Sequence, residues 1–138
     1  MPAIVRWARL PADPTELDEE LLADQAGIRA ELNALAETAK AIRTSAATAD
    51  AVRASLETRL ARIYREDGNP GAARRAENQT DEESHLRTAL LPFKRQAIHE
   101  LRRTGAIDDV VLRRVTARVD LEELRLSAFD NAEVDRNE

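Results

Sequence analysis

Residues 101–126 read LRRTGAIDDVVLRRVTARVDLEELRL, and this stretch decides the fold of the chain. It contains a helix end, a stop and a new helix start in immediate succession. Arg102 and Arg103 place cations at the negative end of a helix dipole, and Gly105 can adopt the left-handed conformation that commonly ends a helix. Asp108 is the expected cap of the next helix. The stretch therefore predicts a helical hairpin.

The second helix of this hairpin has an apolar stripe. Ile107 is placed to pack onto Leu112 as a hydrophobic staple, and the residues that we expect to face inward are Val111, Leu112, Val115 and Val119. β-Branched residues are mildly unfavourable in helices, so packing has to hold this helix in place. Residues 120–123, Asp-Leu-Glu-Glu, either cap a final short helix or lie inside a continuous one.

The composition predicts an all-α protein. Of the 138 residues, 25 are alanine, aromatic residues make up 3%, and Ala, Leu, Arg and Glu dominate, all of which are good helix formers. Alternating runs of strand formers are missing. Because large apolar side chains are scarce, we expect extended helical hairpins, about four to five helices in all, or a surface that a partner covers.

The net charge of −5 is spread unevenly. Residues 1–24 carry two arginines against six acids (−4), residues 25–119 carry seventeen bases against thirteen acids (+4), and residues 120–138 carry two arginines against seven acids (−5). A basic middle between acidic ends argues against a nucleic-acid binder, which needs a concentrated basic face. The sequence therefore predicts no nucleic-acid partner.

Cysteine is absent, which excludes disulfides and thiolate chemistry and indicates a reducing compartment. No run approaches the roughly 20 apolar residues that span a bilayer. The first ten residues are apolar and contain Arg6 and Arg9. They fit either a frayed terminus or the cytosolic edge of a membrane segment, with Trp7 at the interface.

A first helical hairpin is expected upstream. Asp13 and Pro14 begin a helix, and its apolar stripe comprises Leu21, Ile28, Leu32, Leu35, Ala39 and Ile42. From Ile28 the steps are four and three residues, the spacing of a coiled-coil seam, which favours packing in a hairpin or dimer. After an interruption at residues 44–48, a second helix is predicted from about Asp50 to Glu66. Its inward residues are Val52, Leu56, Leu60 and Ile63.

A third helix begins at Thr80, which forms a capping-box pattern with Glu83. Helical spacing then continues across a proline, through Leu86, Leu90, Phe93, Ala97 and Leu101. Because Pro92 removes a backbone hydrogen bond, we expect a kink there, or two helices that meet at Leu91 and Pro92.

These observations divide the chain into five segments. They are a juxtamembrane-like segment 1–12, a helical hairpin 13–67, a linker 68–79, a kinked helix with a C-terminal hairpin 80–127, and a disordered acidic tail 128–138.

No cluster of residues predicts catalysis, a cofactor or a metal. His85 and His99 are fourteen residues apart, about 21 Å along a helix, and cannot share a metal ion in one chain. The acidic pairs Asp108/Asp109 and Glu122/Glu123 lie at or near predicted helix starts, and capping explains most of the acidic groups at such positions. No phosphate-binding glycine loop, EF-hand or nucleophile elbow is present. The sequence therefore predicts that the chain is not an enzyme.

The order of these elements resembles the cytosolic tail of bacterial sodium/proton antiporters in the cation:proton antiporter family. Residues 2–11 resemble the exit from the last membrane helix, and residues 60–65, LARIYR, resemble the second tail helix. Residues 101–114 and 119–126 resemble the closing hairpin with its Asp-Leu-Glu-Glu ending. The intramembrane acids that exchange sodium and protons in the family have no counterpart here, so the resemblance implies no transport by this chain alone.

The resemblance implies a cytoplasmic regulatory or dimerisation tail at the inner face of the cell membrane. Its partner would be a second copy of the chain or the membrane domain of an antiporter. The residues that we expect to carry the interaction are Leu101, Gly105, Ile107, Leu112, Val119, Leu121 and Leu124.

Two alternatives remain open at this point. One is a free-standing adaptor that binds a partner helix through the seam from Ile28 to Ile42. The other concerns the basic pairs, such as Arg102/Arg103, which are either solvated helix faces or contacts with anionic lipid at the inner membrane surface. No small-molecule substrate is expected.

Overall fold

A computed structural model describes residues 14–66 and 80–136, and these residues form four α-helices and no strand. The helices are α1 (Pro14–Ala41), α2 (Ala46–Glu66), α3 (Asp81–Arg103) and α4 (Asp109–Arg136). The predicted all-α class is confirmed. The predicted segment 1–12, the cap Asp13 and the linker 68–79 lie outside the described residues.

The helices α1 and α3 form the central pair and make the most extensive contact of the fold. They run antiparallel, while α2 packs beside one end of the pair and α4 beside the other. Each hairpin, α1–α2 and α3–α4, is also antiparallel. The helix α4 runs parallel to α1, since Glu16 pairs with Arg114 and, further along both helices, Asp24 pairs with Arg118.

Two separate apolar clusters hold the helices together. The α2 cluster lies among α1, α2 and α3, and consists of Ile28, Leu35, Ala39, Val52, Leu56, Leu86 and Leu90. The α4 cluster lies among α1, α3 and α4, and consists of Ala23, Leu91, Ile98, Ile107, Val111, Val115, Val119 and Leu126. Each fully buried Leu, Ile or Val stabilises the fold by about 1.5–3 kcal/mol relative to exposure. The fold therefore has two small cores in place of one large one.

Both hairpin turns use the same backbone motif. In the α3–α4 turn Gly105 has φ 83°, the Ala106 N–H donates to the Leu101 carbonyl (2.8 Å), and the Gly105 N–H donates to the Arg102 carbonyl (3.1 Å). This is the Schellman arrangement that the glycine predicted. In the α1–α2 turn Arg43 takes the same role with φ 59°, although it carries a side chain. No glycine lies at that turn.

The helix starts are capped mostly as the sequence predicted. Thr80 Oγ1 accepts a hydrogen bond from the Glu83 N–H (3.2 Å), and Asp108 Oδ1 accepts one from the Val111 N–H (2.9 Å). The second helix starts at Ala46, four residues before the predicted Asp50. Ser45 explains the difference, because its Oγ accepts a hydrogen bond from the Thr48 N–H (3.2 Å) and caps the helix there.

The structure decides one open alternative on α3 and corrects one prediction. Pro92 does not split its helix, since α3 is continuous, and Pro92 itself lies on the exposed side of α3. Phe93 does not face inward but is 41% exposed, because the inward stripe of α3 runs through Leu90, Lys94 and Ile98.

The last helix extends beyond its predicted end. α4 continues to Arg136, whereas the sequence predicted disorder from residue 128. No glycine or proline follows Gly105 in the chain, so nothing in the backbone stops the helix. Residues 120–123 accordingly lie inside one continuous helix and do not cap a separate one.

Candidate functional site

The predicted turn residues come together at the end of the α3–α4 hairpin. Ile107 is buried in the α4 cluster, and Leu101 and Leu112 pack against that cluster from either side. Gly105 is exposed, and a Cβ built on it would meet nothing within 4 Å. Its role is therefore conformational, since only the left-handed backbone requires a glycine here.

The three predicted residues of the last helix separate into two groups. Val119 faces inward and belongs to the α4 cluster. Leu121 and Leu124 face outward and are 54% and 65% exposed. They contribute little to the fold and are available to a partner.

A row of ion pairs joins the first half of α1 to α4. Arg114 approaches Glu16 (3.0 Å) and Glu20 (3.7 Å), and Arg118 approaches Glu20 (3.4 Å) and Asp24 (3.3 Å). Beyond this row, Glu19 accepts a hydrogen bond from the backbone N–H of Asp108 at the hairpin turn (2.7 Å). These acids of α1 therefore bind α4 and the turn that precedes it.

The sequence interpretation missed a buried ion cluster where the helices meet. Lys94 of α3 is 7% exposed, and its Nζ lies 3.3 Å from Glu31 of α1 and 3.3 Å from Glu122 of α4. The stem of Lys94 crosses α1 at Gly27, where an added Cβ would lie 3.0 Å from Lys94 Cγ. This glycine provides the room that lets a buried lysine lie between two helices.

The cluster perturbs the pKa of its carboxylates in opposite directions. Burial raises the pKa of Glu31, against the attraction of Lys94. Burial also acts to raise the pKa of Glu122, but the attraction of Lys94 and Arg59, with a hydrogen bond from Lys94, outweighs it and the pKa is lowered. Arg59 of α2 also acts on Glu31, so all four helices contribute a charge to this region.

The sequence contains a signal for this cluster. Glu31 lies three residues after Ile28 and four before Leu35, and Glu122 lies three after Val119 and four before Leu126. Lys94 lies four residues from both Leu90 and Ile98. Each charged residue therefore occupies a position of the inward stripe. Residues 120–123 were expected either to cap a final helix or to lie inside a continuous one, and Glu122 lies in the interior of α4.

The seam proposed for the adaptor alternative is largely inside the fold. Ile28, Leu35 and Ala39 all belong to the α2 cluster, and only Ile42 at the end of the seam is exposed. A partner helix would have to displace α2 and α3 to reach the buried residues. The structure thus offers this seam no free surface.

In residues 14–66 and 80–136, no group of three or more His, Asp or Glu side chains is placed to hold a metal ion. Over the same part of the chain, no helix combines the length and the apolar character needed to cross a bilayer.

The chain is similar to proteins named uncharacterized Na(+)/H(+) exchangers from Mycobacterium bovis and from two strains of Mycobacterium tuberculosis. Each of them is 33% identical to it over 126 residues, which cover 91% of this chain and 23% of the relative. The resemblance to sodium/proton antiporters is confirmed. The chain spans about a quarter of the length of these exchangers. No family model and no solved structure matches it.

Proposed function

We propose that the chain is the cytoplasmic regulatory or dimerisation tail of a sodium/proton exchanger and does not transport ions by itself. The observation that carries this proposal is the similarity to exchangers, which takes in 91% of the chain but only 23% of each relative. The predicted resemblance to the end of the antiporter tail, in residues 101–126, supports the same placement.

The tail would act through helix packing. It would lie at the inner face of the membrane and contact a second tail or the membrane domain. A tail biases the conformations of an exchanger only if it makes different contacts in two states. The exposed face of α4, with Leu121 and Leu124, and the ion pairs between α1 and α4 are contacts that can change without opening either apolar cluster. This role requires no catalytic residue, cofactor or nucleic acid, because packing supplies the coupling free energy.

A chimera tests this function. In the Mycobacterium tuberculosis exchanger, the matched segment is deleted in one variant and replaced by this chain in another. Sodium-driven proton movement is then measured in everted membrane vesicles. Because allosteric coupling is typically 1–3 kcal/mol, we expect deletion to shift the half-saturating sodium concentration about fivefold or more, and the chimera to restore it.

Immunoblots of the membranes control for the amount of exchanger in each variant. Cross-linking of the deletion variant separates the two roles, since a dimerisation tail changes the fraction of dimer and a purely regulatory tail does not. Unchanged exchange and unchanged dimer fraction in the deletion variant, at equal amounts of protein, would contradict the proposal.

A further inference from the structure

The helix α4 carries a second apolar stripe on the face that points away from the core. Its members are exposed and follow one another at steps of seven, four, three and four residues; they are Val110, Ala117, Leu121, Leu124 and Ala128. Arg114 fills the remaining position of this spacing. The outer stripe, as we call these residues, extends about 27 Å along the helix.

The fold does not need the outer stripe. A separate inward stripe of α4, which includes Val111, Val115, Val119 and Leu126, supplies the α4 cluster. Steps of four and three residues over nearly three heptads are the pattern that helices use to pack along one another. The aligned leucines on the solvent-facing side of α4 therefore indicate a surface for contact with another helix, which the single chain does not provide.

We propose that the outer stripe packs against the outer stripe of a second copy of the chain, with the two α4 helices parallel. This inference rests on the proposed function and names the surface through which two tails would pair. A helix stripe paired with itself satisfies the requirement of a two-fold interface, in which both copies contribute the same patch.

The flanking charges favour the parallel arrangement. Asp120 and Arg125 lie on opposite flanks of the outer stripe, at the g and e positions of its heptads. In a parallel pair, the g position of one helix faces the e position that lies five residues later in the other helix. Asp120 of each copy therefore faces Arg125 of the other copy, which gives two ion pairs. Arg125 is exposed and makes no ion pair with residues 15–64 or 80–128. Asp120, which pairs with Arg95, keeps 58% of its side chain exposed and can accept a second cation.

An antiparallel pair would fit less well. With Leu121 against Leu124 of the other copy, Asp120 would face Ser127 and Arg125 would lie beside Arg118, so neither Asp120 nor Arg125 would gain a countercharge. The parallel pair places Arg118 near Arg113, but Arg118 is already neutralised by Glu20 and Asp24 of its own chain. Arg114, inside the outer stripe, is likewise paired with Glu16 and Glu20.

Cysteine cross-linking of the full chain tests the arrangement, because the natural sequence has no cysteine. Val110→Cys and Ala128→Cys lie at the two ends of the outer stripe. Under mild oxidation each variant alone should form a disulfide-linked dimer, and a mixture should form few 110–128 links. Leu17→Cys, at an exposed leucine of α1, is the control and should remain monomeric on a non-reducing gel. Preferential 110–128 links, or no links at all, would overturn the parallel pair.

Sedimentation equilibrium measures the strength of the pairing. Replacing both leucines, Leu121→Ser with Leu124→Ser, should raise the dissociation constant about tenfold or more. The matched control, Leu17→Ser with Leu22→Ser, changes two exposed leucines outside the outer stripe and should leave it unchanged. Circular dichroism confirms that both variants keep their helices. A chain that stays monomeric at all concentrations would overturn the proposal, even if it bound anionic vesicles instead.

A charge exchange tests the flanks. Asp120→Arg should weaken pairing, and adding Arg125→Asp should restore it, whereas Arg95→Ala alone should have no effect on pairing. Failure of the double variant to recover would overturn the parallel register. The chimera keeps the two proposals distinguishable: a monomeric chain that still restored exchange would end the pairing model and leave the tail function standing.

Discussion

The two halves of α1 are held in the fold by different kinds of interaction. Its second half packs through Ile28, Leu35 and Ala39, all buried in the α2 cluster. Its first half contributes a single alanine, Ala23, to the α4 cluster. Its polar contacts are the ion pairs of residues 16–24 with Arg114 and Arg118 of α4, and the hydrogen bond that Glu19 accepts from the Asp108 N–H.

This difference shows how a chain poor in large side chains can use one helix in two ways. Apolar burial contributes about 1.5–3 kcal/mol for each large side chain and is insensitive to salt. Partly exposed ion pairs contribute about 0.2–1 kcal/mol each and are screened by salt. The second half of α1 is therefore a fixed part of the fold, and the first half is the part that conditions can release.

The largest effect is expected at the boundary between these halves. Lys94→Met keeps an apolar stem beside Gly27 but leaves Glu31 buried without its closest countercharge. Removing one partner of a buried ion pair typically costs about 3–5 kcal/mol of unfolding free energy. Urea unfolding followed by circular dichroism measures this cost.

A double variant controls for lost packing. Lys94→Met with Glu31→Gln removes both charges and should recover most of the lost stability, because a neutral amide is cheaper to bury than an unpaired carboxylate. If the double variant were as unstable as Lys94→Met, the ion pair would not be the cause of the loss.

The next effect contrasts a buried leucine with an exposed one on the same helix. Leu35→Ala leaves a cavity in the α2 cluster and should cost about 2–5 kcal/mol. Leu17→Ala, in the first half of α1, should change the free energy of unfolding by less than about 0.5 kcal/mol. Equal losses in the two variants would mean that the first half is docked by apolar contacts after all.

The sequence predicted the helical elements because local signals are strong in this chain. Thr80, Gly105 and Asp108 stabilise the helix ends through contacts with residues only a few positions away in the sequence. The α3–α4 hairpin could therefore be predicted without any information on contacts between distant residues. The α1–α2 turn was only partly readable, since Arg43 adopts a left-handed backbone that nothing in its side chain requires.

The interaction between helices was less predictable. Glu31, Lys94 and Glu122 were not predicted to face inward, although each lies at a position that the spacing of its own helix directs inward. Phe93 was assigned inward because it is apolar, although Lys94 beside it holds that position. Which face of a helix meets a neighbour depends on its partner, here on Gly27, and spacing within one helix does not contain that information.

A smaller effect concerns pH. The pKa of Glu31 is raised in the fold, so its contribution to stability is fully present below about pH 4.3, the usual value for an unfolded glutamate, and is lost as the pH rises through the folded pKa. The destabilisation caused by Glu31→Gln should therefore be larger at pH 4 than at pH 7. The difference amounts to about 1.4 kcal/mol for each unit of pKa shift.

Glu122→Gln is the control with the opposite sign. The pKa of Glu122 is lowered, so its contribution is present above the unfolded value and is lost as the pH falls through the folded one. Its replacement should cost more at pH 7 than at pH 4. Two variants with the same pH trend would contradict the opposite environments assigned to these carboxylates. Chemical unfolding at each pH provides the comparison.

The smallest expected effect is the salt dependence of amide exchange, and it compares the two halves of α1 directly. Raising the salt concentration from 50 mM to 500 mM should increase amide hydrogen exchange in residues 16–24 of α1 and leave residues 28–41 unchanged, since screening acts on the ion pairs alone. Arg118→Ala removes the contacts to Glu20 and Asp24, and should cost about 0.2–1 kcal/mol at low salt. In that variant the first half should already exchange faster at 50 mM, with a weaker response to salt. Exchange that rose equally in both halves would show that α1 opens as one unit, and the division of its docking into an apolar half and an ionic half would then be wrong.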